Sequence, residues 1–103
     1  MAVRLIALYA TPEDPAAFDA HYHAVHAPIV RRYPGLIDLR LTRADGVGDR
    51  SPDYYLVAEM TFDSRAALDE ALASEAGVES GRDLRNFAGA GVTLLVVDDA
   101  SGF

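Results

Sequence analysis

From Val3 to Ala10 apolar residues occupy both alternating sets of positions, with Val3, Leu5 and Tyr9 on one side and Ile6 and Leu8 on the other. This pattern predicts a strand that wants cover on both faces. Thr11-Pro-Glu-Asp-Pro15 then predicts a helix start. Asp14 suits the N-cap, and Pro15 suits the first helical position, where its missing N–H costs nothing. Phe18, Tyr22, Val25, Ile29 and Tyr33 follow at spacings of four, three, four and four, one continuous helical stripe that Pro34-Gly35 stops.

Leu36 to Arg43 alternates, Ile37, Leu39 and Leu41 against Asp38, Arg40 and Thr42, as a half-covered strand should. Asp45 to Pro52 reads as a hairpin loop and Tyr54 to Phe62 as a third strand. A second helix is predicted from about Ser64 to Ala76, with Leu68 and Leu72 on one face, and Glu79 to Phe87 adds a short helical turn. Val92 to Val97 is a nearly continuous apolar run and closes the chain as strand four. The order β-α-β-β-α-β predicts an α+β, ferredoxin-like domain over residues 1–103: one antiparallel sheet with both helices on a single face. The first and last strands are apolar on both sides, yet the helices cover only one. A second copy of the sheet is the expected cover, which gives an isologous homodimer.

Composition narrows the classes of function. The 103 residues carry 9 Lys+Arg against 16 Asp+Glu, a net charge of −7, and all the cations are Arg. Such a balance argues against nucleic acid and against an anionic membrane surface as partners. With no cysteine there is no disulfide, thiolate nucleophile or cysteine-held metal cluster. No apolar run approaches the roughly 18 residues that span a bilayer, and no secretory pattern opens the chain, so a cytoplasmic protein is expected.

Chemistry concentrates in the first helix, where His21, His23 and His26 fall within six residues. At about 100° per residue, with Phe18 at zero, the apolar stripe spans roughly −20° to +60°. On the same wheel His26 lies near +80°, His21 near −60° and His23 near +140°. His26 is therefore nearest the core, one turn above Tyr22. A histidine at the edge of a buried face can act as general acid or base, because its ordinary pKa is close to neutral. It can equally be a core-boundary residue satisfied by a tyrosine hydroxyl or a carbonyl. Pro28 cannot donate to the carbonyl of Ala24, so the helix should bend or loosen beside His26. His23 with His26 and Asp19 would make an incomplete metal set, and Asp19 with His23 reads better as a solvated i, i+4 pair. Arg40 is expected to pair with Glu59 across strands two and three. Gly46-Val47-Gly48 and Gly89-Ala90-Gly91 lack the strand–turn–helix setting of a phosphate loop and read as turns.

Phe18-x-x-x-Tyr22-x-x-x-His26-x-Pro28, followed by Pro34-Gly35-Leu36, resembles the first-helix signature of EthD-like proteins, members of the dimeric α+β barrel superfamily. Ser74-Glu75, Asp83 and Phe87 resemble the same family's second-helix region and the turn after it. The resemblance implies a ferredoxin-like subunit, homodimerisation through the sheets, and a small apolar pocket between sheet and helices. It also implies kinship with proteins of ether degradation, methylmuconolactone isomerases, polyketide cyclases, quinone-forming monooxygenases and haem-degrading enzymes. In the lactone isomerases the histidine matching His26 is an acid/base candidate; those enzymes also use a cysteine, which this chain lacks. The tyrosine often found shortly after the Pro-Gly is Leu39 here.

On these readings His26 and Tyr22 are the candidate catalytic residues, with Tyr22 orienting His26. Phe18, Pro28, Phe62 and Phe87 are the candidate substrate-binding residues. No metal and no cofactor are expected. The expected ligand is a small apolar carbonyl, lactone or polycyclic metabolite, handled by cofactor-free lyase, isomerase or cyclase chemistry. The alternatives are a non-catalytic accessory or ligand-binding role beside a catabolic oxygenase, and a haem-binding or monooxygenase-like protein.

Overall fold

A computed structural model describes residues 2–98. Four strands, β1 (Val3–Ala10), β2 (Asp38–Arg43), β3 (Tyr54–Phe62) and β4 (Val92–Asp98), form one sheet in the order β2-β3-β1-β4, and every neighbouring pair is antiparallel. The helical segments α1 (Pro15–His21), α2 (Ala27–Val30), α3 (Arg65–Ala73) and α4 (Glu75–Phe87) lie on one face of it. This is the ferredoxin-like α+β arrangement that the pattern predicts.

Register sorts the strand residues into two sets. Val3, Leu5, Ala7 and Tyr9 stand beside Phe62, Met60, Ala58 and Leu56 on the helix face, and the core lies between them and the helices. Ile6, Leu8, Val57, Leu95 and Val97 share the opposite face. There Arg40 sits opposite Glu59 in register, but the ion pair Glu59 makes is with Arg4, at 3.9 Å. Strand β4 is at the edge of the sheet and is less covered than its apolar run suggests. Leu94 and Val96 on the helix face and Leu95 on the other are all exposed, because the helices pack over β1 and β3.

The first helix departs from the single stripe. It starts as expected, with the Asp14 side chain accepting from the Ala17 N–H at 3.1 Å and Pro15 in the first turn. Between α1 and α2, however, Tyr22–His26 forms a π turn, in which the N–H of Ala27 bonds to the carbonyl of Tyr22, five residues back. The wider turn inserts one residue into the helical count. Val25, expected in the buried stripe, is rotated out to 40% exposure, and His26 takes its place at 4%.

The second helical region is also different from its expected form. It is two helices that meet at Ser74, whose backbone is extended and whose hydroxyl accepts from the Gly77 N–H at 3.1 Å to cap α4. A Cβ on Gly77 would come within 2.2 Å of the Ala71 carbonyl, so the corner closes only around glycine. The turn foreseen at Glu79–Phe87 is therefore the end of a 13-residue helix. Leu72, expected to share one helix face with Leu68, is 39% exposed, while Leu68 and Ala71 are buried.

Candidate functional site

The inserted residue of the π turn aims His26 between the sheet and α4, where α4 presents Ala76, Gly77, Ser80 and Asp83 as its buried positions. His26 Nδ1 and Asp83 Oδ2 are 3.0 Å apart. The same carboxylate receives His21 Nε2 at 2.9 and 3.0 Å and the Asn86 side-chain amide at 3.0 Å. Three N–H donors thus converge on one buried acid. Burial alone would raise the Asp83 pKa, but the donors Asn86, His21 and His26 outweigh it and hold the carboxyl below its ordinary range. The His26 pKa is lowered too, but by the opposite balance of causes: burial, the largest, pulls it below the ordinary imidazole value against the opposing pull of Asp83. The resulting pair is a carboxylate accepting Nδ1–H from a neutral imidazole, which leaves Nε2 as an acceptor facing the Tyr9 hydroxyl.

That Nε2 lies 3.4 Å from the Tyr9 hydroxyl. Both groups, with Tyr22, Tyr33 and Ser80, line a cavity of about 80 Å³ between the sheet and helices, its walls otherwise apolar side chains such as Leu5, Met60 and Leu84. The Tyr33 hydroxyl bonds to Ser80 Oγ. Burial pushes the phenols of Tyr9, Tyr22 and Tyr33 above their ordinary values, so each is a protonated hydroxyl at neutral pH.

Of the residues singled out from sequence, His26 and Tyr22 come together in this cavity, their rings 5.3 Å apart. The hydroxyl facing His26 Nε2 belongs to Tyr9 rather than Tyr22. Phe87 packs over both histidines, its ring 4.7 Å from that of His26 and 5.1 Å from that of His21. Phe18 packs against Tyr9 and Phe87. Neither phenylalanine lines the His26 cavity; both border a separate surface groove beside His21 and Asn86. Phe62 is fully buried against Tyr33, and Pro28 is exposed. His23 points to solvent, and Asp19, instead of pairing with it, accepts from the Tyr55 hydroxyl at 2.9 Å and lies 3.5 Å from Arg43. A β-bulge next to Tyr9 and Ala10 breaks the register of β3 at this point.

Two site residues escaped the sequence reading as functional groups. Tyr9 looked like one more apolar strand position. Asp83 sits at the spacing Ala76, Ser80, Asp83, Phe87, an acid in a helical stripe of otherwise small or apolar residues. The family resemblance includes Asp83 without a role; the anomaly is the signal for one, and it vanishes if the segment is taken for a short turn.

The fold and this site define a ferredoxin-like α+β protein with a buried carboxylate–imidazole pair at a small apolar cavity. An EthD domain matches residues 10–91, and the chain belongs to the EthD family. It is 36% identical over 96 residues, 93% of each chain, to an uncharacterized 11.0 kDa protein of the thcB-thcC intergenic region of Rhodococcus erythropolis. The crystal structure of an ethyl tert-butyl ether D (EthD) family protein from Bacillus halodurans C-125 is 42% identical, with a TM-score of 0.90 over 96% of this chain and 99% of that one. Two more distant structures share the fold. Hydroxynitrile lyase from Passiflora edulis is 17% identical, with a TM-score of 0.78 over 99% of this chain and 96% of that one. A dimeric ferredoxin-like protein from Jannaschia sp. CCS1 is 19% identical, with a TM-score of 0.72 over 96% of this chain and all of that one. Among the described residues no helix is long and apolar enough to cross a membrane.

Proposed function

We propose that this protein is a homodimeric, cofactor-independent acid–base catalyst of the lyase or isomerase type, acting on a small apolar carbonyl compound or lactone. The observation that carries the reading is the 3.0 Å contact between His26 Nδ1 and Asp83, with His26 Nε2 directed to the cavity beside the Tyr9 hydroxyl. Asp83 fixes the tautomer and offsets the charge that appears when Nε2 takes a proton from carbon next to the substrate carbonyl. Tyr9, kept protonated by burial, donates to the carbonyl oxygen as negative charge develops there. Tyr22 packs its ring against His26 and holds the imidazole plane. The Passiflora lyase shows that this fold accommodates an enzyme, and the Jannaschia protein is described as dimeric, in keeping with an apolar sheet face in need of cover. A cavity of about 80 Å³ is smaller than one that takes up a benzene in an engineered protein core, and does not fit a haem.

The test is hydrogen–deuterium exchange at carbon, followed by NMR on a panel of neutral methyl ketones and lactones in D₂O. Wild-type protein should accelerate α-exchange of at least one compound. His26→Ala should drop the rate by about 10²–10⁴-fold with the fold intact. Equal exchange by the two proteins would remove His26 from the chemistry and leave a binding role for the cavity.

A further inference from the structure

The cavity has a definable mouth. Its lining is buried or half-buried except at three residues, Leu72 of α3, Gly81 of α4 and Leu94 of β4, which are exposed. Two of them are large apolar side chains at 39% and 53% exposure, on elements that flank the third. Gly81 contributes no side chain, and a Cβ built on it would meet no atom within 4 Å. A glycine in a helix interior costs roughly 1 kcal/mol relative to alanine, and here neither a positive φ nor a close backbone approach explains it. What its bareness does provide is an opening. The mouth lies on the helix side of the sheet, so a second copy seated on the opposite face leaves it clear.

The interior is also selective in charge. No lining residue is Arg, and the chain has no Lys. The Asp83 carboxylate stands directly behind His26, a fixed negative charge at the cavity wall. In a poorly solvated space an incoming anion would lose its hydration and gain no cation in exchange.

We infer that Gly81 is the gate of the His26 cavity, and that the ligand is an uncharged molecule whose reactive carbonyl end enters past Gly81 while its apolar remainder rests on Leu72 and Leu94. The inference rests on the reading of this cavity as the substrate site and adds the substrate class and a specificity-determining residue. An interior of about 80 Å³ takes the carbonyl and its immediate neighbours; the rest of the molecule stays at the mouth. Carboxylates of the same size are excluded by charge, and bulkier gate residues exclude the apolar remainder by volume.

The probes are acetophenone and benzoate, a neutral ketone and an anion of similar size, titrated into ¹⁵N-labelled dimer and followed through backbone amides and the His26 ring. Acetophenone should shift the amides of Leu72, Gly81 and Leu94 together with the His26 imidazole signals. Benzoate should bind at least about tenfold more weakly. Gly81→Phe should weaken acetophenone at least about tenfold while the Asp83-bound Nδ1 proton of His26 stays where it is. Gly81→Ala, which puts one methyl group into the opening, should weaken acetophenone by an intermediate amount, and Val47→Ala in the exposed hairpin loop, away from the cavity, serves as the control that binds as wild type does. Benzoate binding as tightly as acetophenone, shifts away from the three mouth residues, no binding of acetophenone, or an unaffected Gly81→Phe would each overturn the inference. Because the readout is binding, loss of α-exchange in His26→Ala neither supports nor harms it. Conversely, acetophenone bound at the mouth but never exchanged would leave the gate standing and sink the catalytic reading.

Discussion

The two faces of the sheet are built from similar residues and end in different states. On the helix side, Val3, Leu5, Ala7 and Tyr9 are buried, and the polar groups that go in with them are partnered: among the described residues no buried side-chain nitrogen or oxygen lacks a hydrogen bond. On the other side Ile6 and Val57 are shielded only by their strand neighbours, and Leu95 remains 45% exposed. The helix face is finished by the chain itself because Asp83 arrives with three donors to meet it. The other face is apolar with a sparse rim, where Arg4–Glu59 is a loose, half-solvated pair. Buried polar groups are costly unless satisfied locally, whereas an apolar face can wait for a partner. On the proposed reading the first face carries the chemistry and the second the assembly.

The largest effect expected from breaking this division is on the helix side. Asp83→Ala strands the His26 Nδ1–H in a buried site and leaves His21 and Asn86 without their acceptor, which should cost about 3 kcal/mol in urea unfolding. Asp83→Asn keeps one acceptor oxygen and should cost less while still removing the charge that supports His26. A loss below about 1 kcal/mol for Asp83→Ala would mean that the cluster is more solvated than its 6% exposure indicates. Leu95→Asp makes the complementary cut. It should raise the dimer dissociation constant about a hundredfold or more in sedimentation, because an isologous interface buries the new charge twice. The isolated subunit should stay within about 0.5 kcal/mol of wild type, since the site is already half exposed. A dimer indifferent to Leu95→Asp would place the interface elsewhere.

How much of this was legible in the sequence differs between the same two faces. The strand alternation, the Asp14 cap and the element order follow from local periodicity, and the uncovered face follows from counting apolar positions on β1 and β4. The site is harder to read because it depends on departures from periodicity. An ideal helix puts Val25 in the stripe and leaves His26 at its margin; only the extra residue of the π turn exchanges them. The proline at 28 marks the loosening, but not which residue the helix gains. The family resemblance includes Asp83, but its place as a buried acid facing His26 shows only when α4 is recognised as a helix, and that depends on Ser74 and Gly77, whose capping and close approach are set by tertiary contact between α3 and α4. Leu72 shows the same effect: helical spacing pairs it with Leu68, while the break at Ser74 leaves it at the cavity mouth.

The mildest prediction sharpens the comparison through pH. The folded pKa of His26 is depressed, so the folded state binds fewer protons than the unfolded chain once the pH falls below the ordinary imidazole range near 6.5. The stability His26 contributes is therefore fully present above that range and is lost as pH falls through its folded value. Asp83 is depressed as well, and its contribution persists until the pH falls below the ordinary carboxylate range near 4. Melting temperature should thus decline in two stages on acidification, the first from His26 and the second from Asp83. The first stage should be small, because a protonated His26 keeps its Nδ1–H bond to Asp83 and gains attraction to it, which offsets much of the cost of a buried charge. His26→Gln should flatten the first stage and leave the second. A first stage that survives in His26→Gln would move the acid sensitivity to another group and detach it from the cavity.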